Sequence, residues 1–125
     1  MAEKSKFAII GKSLGTADCL CLSGFLDAHT APELETQLSR LIEKEQYKII
    51  VSFKELDYIS SAGLGVFMAF IEEVREKGGD IKLCAMKPRV FSVFDLLGFP
   101  LLFDILDDEV TAVKRFSGKD ENIKE

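Results

Sequence analysis

The sequence predicts an α/β fold, with an N-terminal β-hairpin leading into a mainly parallel sheet with covering helices. Three observations predict it. Strand-like runs alternate with amphipathic helix-like runs along most of the chain, the pattern of parallel strands joined by helical crossovers. Glycine and proline punctuate the boundaries between these runs. The first two strand-like runs are instead joined by a short glycine-containing connection, Ser13-Leu14-Gly15-Thr16, the mark of a hairpin. With 125 residues the chain has the size of one domain, whose core needs no disulfide or metal staple. No internal repeat, low-complexity segment or domain boundary interrupts it.

Each element has its own justification. Lys6 to Lys12 and Ala17 to Ser23 read as the hairpin strands. In the second, Cys19 and Cys21 share one face and Leu20 and Leu22 the other, so both faces are expected to be covered. Residues 24–29 read as a loop. Thr30-Ala31-Pro32-Glu33 has the form of a capping box, with Glu33 reaching back to Thr30. Leu34, Leu38, Leu41 and Ile42 then follow at helical spacing, predicting an amphipathic helix that ends near Gln46. Lys48 to Phe53 is rich in Ile and Val and reads as a strand. Leu64, Phe67, Met68, Ile71 and Val74 mark the inward face of the next helix, which Gly78-Gly79 terminates. Asp80 to Ala85 is a further strand. Pro88 opens a helix with Val90, Val93, Phe94 and Leu97 inward, and Gly98 stops it. Leu101 to Ile105 reads as a last strand, and Asp107 or Asp108 as the cap of a final helix through Phe116.

Composition excludes several classes of function. The net charge is -5, without a basic cluster, which disfavours nucleic-acid binding. No apolar run has the length of a membrane span, and Met1 to Lys6 has no signal core behind it. The three cysteines form no disulfide framework; Cys19, Cys21 and Cys84 read as buried apolar side chains rather than metal or redox ligands. These features predict a soluble, cytoplasmic protein of a reducing compartment, with no membrane partner.

The chemistry-bearing stretch is Asp57-Tyr58-Ile59-Ser60-Ser61-Ala62-Gly63-Leu64-Gly65. Its two serines fall at the start of a helix, where unpaired N–H groups and the helix dipole favour negative charge. Small neighbours allow another surface to approach the backbone. From the residues alone two roles stay open: helix capping, the commoner role of serine, and an accessible hydroxyl able to carry a phosphate. Right-handed crossovers would bring the 27–30 loop to the same sheet end as the serine corner.

Enzyme motifs fail one by one. Gly11-Lys12-Ser13 lacks the upstream glycine of a phosphate-binding loop, because Lys6 stands there. Gly63-Leu64-Gly65 lacks the third glycine of a dinucleotide fingerprint, with Met68 in its place. Ser61 is outside any nucleophile elbow, since Ile59 replaces the glycine. His29, the only histidine, reads as an ordinary loop residue, and Asp27 with Asp57 as two loop carboxylates. No enzymatic activity, cofactor or metal is expected.

An ordered set of segments resembles the STAS domain, in particular the bacterial anti-anti-sigma factors (anti-sigma factor antagonists). Leu22-Ser23-Gly24-Phe25-Leu26-Asp27 with Thr30-Ala31 is similar to the family's Gly-x-Leu-Asp and Thr-Ala segment. Tyr58 to Gly65 resembles its Asp-Ser-Ser/Thr-Gly-Leu-Gly phosphorylation loop. Gly78-Gly79 before a strand, and Val93-Phe94-Asp95-Leu96-Leu97-Gly98 with Phe103 beyond, complete the set. The likeness spans about residues 7–116, implying one STAS domain between a tail over 1–6 and a polar tail over 117–125.

The resemblance implies partner switching. The unphosphorylated protein would bind an anti-sigma factor with serine kinase activity and so free a sigma factor; phosphorylation would end binding, and a PP2C-type phosphatase would restore it. Register with Gly63-Leu64-Gly65 places the acceptor at Ser61, with Ser60 as second choice. Here Ser60 stands where the family frequently has aspartate, and Ala62 where it has a second Ser or Thr. Asp27, His29, Ser60, Ser61, Gly63 and Leu64 are the expected partner-binding residues. The alternative is a non-switching STAS scaffold or a nucleotide or small-ligand sensor.

Overall fold

The computed structural model describes residues 6–117. The expected tails lie outside them, except for Lys6 and for Ser117, which closes the last helix. A five-stranded sheet has the order β1-β2-β3-β4-β5. β1 (Ala8–Leu14) runs antiparallel to β2 (Ala17–Leu26), and β3 (Lys48–Ile59), β4 (Asp80–Cys84) and β5 (Ile105–Leu106) continue parallel to β2. The crossovers are α1 (Ala31–Glu43), α2 (Ser61–Glu76) and α3 (Pro88–Leu96), and α4 (Glu109–Ser117) follows β5.

Because each parallel strand joins its immediate neighbour, crossovers of one hand place all three helices on one face. Leu20, Leu22, Val51, Phe53, Ile81 and Leu83 meet them there, in the larger core. Alternate strand residues, Cys19, Ile50 and Cys84, face the other way and pack under Ala112 of α4. The expected coverage of β2 on both sides is therefore found. Burial pushes the Cys19 thiol up, and that of Cys84 to about 12, so with nothing bound both pack as neutral thiols.

The first strand is shifted two residues along the chain from the expected Lys6 to Lys12, and the next two run longer than expected. β2 runs on to Leu26 instead of stopping at Ser23, and β3 runs on to Ile59 instead of stopping at Phe53. Lys54, Glu55 and Asp57 hid this extension, but two bulges accommodate them: β3 advances from Ser52 to Glu55 while β2 advances from Cys21 to Ser23, and from Leu56 to Tyr58 while β2 moves from Gly24 to Phe25. The expected strand over 101–105 is mostly absent. Gly98 ends α3 at φ +80°, Pro100 cannot donate to a ladder, and 99–101 wind into a 3-10 turn. That turn buries Phe99 and Phe103, stacked at 5.3 Å, with Phe99 edge-on to Phe94 at 5.2 Å. Met68 and Leu97, expected inside, are 45% and 54% exposed, lying at the rims of their helical stripes.

Helix ends also differ in detail. α1 stops at Glu43, and Glu45 takes a left-handed φ of 61°. The capping box does not form: the Thr30 side chain is engaged upstream instead, as described below. α2 ends as expected, with the Gly79 N–H donating to Val74 and Gly78 at φ +88°. Asp108 caps α4 by accepting from the Thr111 N–H at 2.9 Å, which holds its carboxyl below the usual carboxylate range.

One polar cluster ties the two faces. Lys82, almost fully buried, donates to Asp80 at 2.9 Å and to Asp104 at 2.8 Å, with its ammonium 4.8 Å from the Phe116 ring centre. The other oxygen of Asp80 accepts from Arg75 of α2 at 2.9 Å. The Lys82 hydrogen bond holds the Asp104 carboxyl below its usual range. A depressed carboxylate contributes stability above its unfolded value and loses it as pH falls through the folded one. Asp104→Asn should thus cost roughly 1 kcal/mol at neutral pH. The gap to the parent should close on acidification below about pH 4. Urea unfolding of both proteins across pH checks this; a gap indifferent to pH would assign the loss to packing.

Candidate functional site

The carboxyl ends of β2 and β3 lie side by side, with Leu26 opposite Ile59. The Ser60 N–H donates to the Leu26 carbonyl at 2.9 Å, so the 27–30 turn and the serine corner adjoin, as the topology predicts. In the turn, the Asp27 carbonyl accepts from the N–H groups of Thr30 at 3.1 Å and Ala31 at 2.8 Å. One Asp27 carboxylate oxygen accepts from the His29 N–H at 2.9 Å and the Thr30 N–H at 3.2 Å. The Thr30 hydroxyl accepts from the Asp27 N–H and donates to the Phe25 carbonyl, both at 2.9 Å. That use of the hydroxyl is the reason no capping box forms. Asp27 thus holds its own turn together, and His29 projects into solvent at its tip.

At the corner the two serines separate. Ser60 takes an extended ψ of 173° at the N-cap position of α2, but its side chain makes no capping bond. Its Oγ is buried and, among the described residues, has no hydrogen-bond partner. Helix capping, one of the roles left open for the two serines, is therefore not performed by the Ser60 hydroxyl. Ser61, the first residue of α2, is exposed, and among the described residues none hydrogen-bonds its side chain. It is a solvent-facing hydroxyl beside first-turn N–H groups that have no intrahelical acceptor. An incoming phosphoryl group would meet that partial positive charge.

Gly63 and Leu64 do not belong to the surface. Leu64 is 2% exposed and packs in the larger core. Gly63 is buried, and a Cβ on it would sit 2.8 Å from Leu26 Cγ and 3.1 Å from Ile59 Cγ1. Their part is to seat the first turn of α2 on the strand ends. In their place the structure exposes two residues not expected at the site, Phe25 and Tyr58, at 38% and 48%. Their rings pair at 5.5 Å across the extended ends of β2 and β3. Phe25 lies between buried Gly24 and Leu26, so period-two alternation carried to residue 26 would have revealed it. Asp57 pairs with Lys87, the residue before α3, so it and Asp27 are engaged separately rather than as an acid/base pair. Among the described residues, the one convergent group of possible metal ligands is Cys19, Cys21 and Glu109, which lies towards α4.

The STAS domain family model matches residues 15–112. The anti-sigma F factor antagonist of Paenibacillus polymyxa is 34% identical over 93 residues, covering 74% of this chain and 80% of that protein. The solved structure of the anti-sigma factor antagonist SpoIIAA in its unphosphorylated form superposes with a TM-score of 0.77 at 24% identity, over 89% of this chain and 97% of that one. The Bacillus cell fate determinant SpoIIAA in its phosphorylated form gives a TM-score of 0.68 at 23% identity, over 86% and 98%. Among the described residues no helix is long and apolar enough to cross a membrane.

The contrast between Gly63 and Gly65 is testable. Gly63→Ala must push apart fully buried Leu26 and Ile59 or lift the helix start, and should cost about 1–3 kcal/mol. Gly65 has open space where a Cβ would lie. Gly65→Ala should therefore be neutral or stabilise by up to about 1 kcal/mol, through helix propensity. Equal effects of the two changes in urea unfolding would refute the seating role of Gly63.

Proposed function

The chain belongs to the STAS domain family, and from that premise we propose that it is a cytoplasmic anti-sigma factor antagonist that works by partner switching. The unmodified protein binds an anti-sigma factor that is also a serine kinase, and a sigma factor is released. The kinase phosphorylates Ser61 and the complex ends; a PP2C-type phosphatase regenerates the binding form. The relative named for antagonism of an anti-sigma factor supports this reading. The observation that carries it is the division of labour at the corner: Ser61 presents an exposed hydroxyl, whereas the Ser60 oxygen is buried. A kinase needs the former. Regulation by binding, not catalysis, fits a hydroxyl that no neighbouring side chain activates.

The docking surface in this reading comprises Ser61, His29 and the turn shaped by Asp27, with Phe25 and Tyr58 as aromatic anchors beside them. Gly63 and Leu64 act from beneath. Asp27 contributes chiefly by holding the turn, since its carboxylate already accepts two backbone N–H groups.

Phosphate acts at the interface rather than on the fold. Phosphoserine carries roughly −1.5 to −2 charges near neutral pH. At a helix N-terminus such charge is favourable by about 0.3–1 kcal/mol when exposed. Docking instead strips water from the dianion, and an interface penalty of about 3 kcal/mol weakens binding more than a hundredfold. Phosphopeptide mapping after kinase treatment should find phosphate on Ser61, and Ser61→Ala should bind the kinase without being modified. The phosphoprotein, or Ser61→Asp, should lose the partner while keeping its melting temperature. Phosphate on Ser60 alone, or a large fall in melting temperature on modification, would overturn the mechanism.

A further inference from the structure

On the sheet face opposite α1–α3, β2 and the first turn of α4 bring three metal-ligating side chains together. Cys19 and Cys21, two residues apart on one strand, point to the same side with their sulfurs 3.9 Å apart. Glu109 sets one carboxylate oxygen 3.9 Å from the Cys21 sulfur, and the three ligand atoms all lie within 4.8 Å of one another. We propose that Cys19, Cys21 and Glu109 bind a thiophilic divalent cation, Zn²⁺, at a site that joins β2 to α4.

The geometry suits that ion. Two thiolates at the usual Zn–S length of about 2.3 Å in a tetrahedral shell lie roughly 3.8 Å apart. The sulfurs already have that spacing, so the ligands close on the ion with small side-chain adjustments. The carboxylate is divided in a useful way: Oε1 accepts from Lys12 at 2.9 Å, whereas Oε2 faces Cys21. Glu109 can therefore ligate through one oxygen while Lys12 orients it through the other, the outer-shell support common at zinc sites. Charge also balances. On binding, both thiol protons leave to solvent; two thiolates, one carboxylate and Zn²⁺ sum to one negative charge, which the Lys12 ammonium matches. Access is open, since a cavity of about 680 Å³ lined by Lys12, Cys21, Ser52, Met86 and Glu109 adjoins the cluster and leaves room for water as a fourth ligand. A sequence reading of the cysteines as apolar filler misses this site because Glu109 comes from the other end of the chain.

The inference is independent of the switching mechanism and of Ser61. Metal-stripped, reduced protein titrated with Zn²⁺ should bind one equivalent and melt at a higher temperature. Co²⁺ should give a sulfur-to-metal charge-transfer band. Cys21→Ser and Glu109→Gln should each weaken Zn²⁺ affinity at least tenfold, while Glu55→Gln, which alters a carboxylate lining the same cavity, should not. Cys19 is fully buried. Its substitution is therefore best avoided, and circular dichroism should confirm that the other variants fold. No stoichiometric binding, no thiolate band with Co²⁺, or an affinity unmoved by both ligand substitutions would overturn the proposal.

Discussion

The pairing of β2 with β3 is the constraint on which the functional end of the molecule depends. Without its two bulges, the charged stretch from Lys54 to Asp57 could not stay in the sheet while Leu56 and Ile59 remain buried. With them, β3 reaches far enough for Ile59 to lie opposite Leu26 and for Ser60 to bond its carbonyl. That single backbone bond joins the turn before α1 to the start of α2. The helix start is then held from below by Gly63, whose lack of a side chain lets it close on Leu26 and Ile59. Every feature of the candidate surface is placed by this arrangement.

The serine corner shows how adjacent identical residues acquire different chemistry. Chain direction at the start of a helix turns one side chain inward and the next outward. The buried Ser60 hydroxyl, with no partner among the described residues, is a local cost of the kind found where function rather than stability sets the sequence. The exposed Ser61 hydroxyl is inexpensive and available. Hydrogen bonding is concentrated instead in the neighbouring turn, where Asp27 and Thr30 engage the backbone so fully that its shape is independent of any partner.

Elements with strong periodicity were legible in the sequence. The hairpin, the stripes of α1 and α2, the Gly78-Gly79 stop and the Asp108 cap follow from local rules that tertiary packing did not override. What was not legible depends on contacts that propensity and periodicity do not encode. The extension of β3 through charged residues needs the β2 register, and the failure of the Thr30 capping box needs the Phe25 carbonyl. The short β5 reflects aromatic packing among Phe94, Phe99 and Phe103, which won over the strand-like composition of 101–105. At the site, proximity in sequence misled: Gly63 and Leu64 share the serine motif but support it from inside, whereas Phe25, from another segment, stands outside.

Strand order in the sheet equals strand order in the chain. A nascent chain emerging from the ribosome can therefore add each strand to an edge that already exists, and no strand must wait for, or be threaded between, later ones. The helical face is completed as each crossover emerges. The opposite face has a different history: Cys19, Ile50 and Cys84 are covered by α4, the last of the described helices. During vectorial synthesis that face stays wet until nearly the whole sheet is built, and it is the surface on which a chaperone or a neighbouring nascent chain would find purchase.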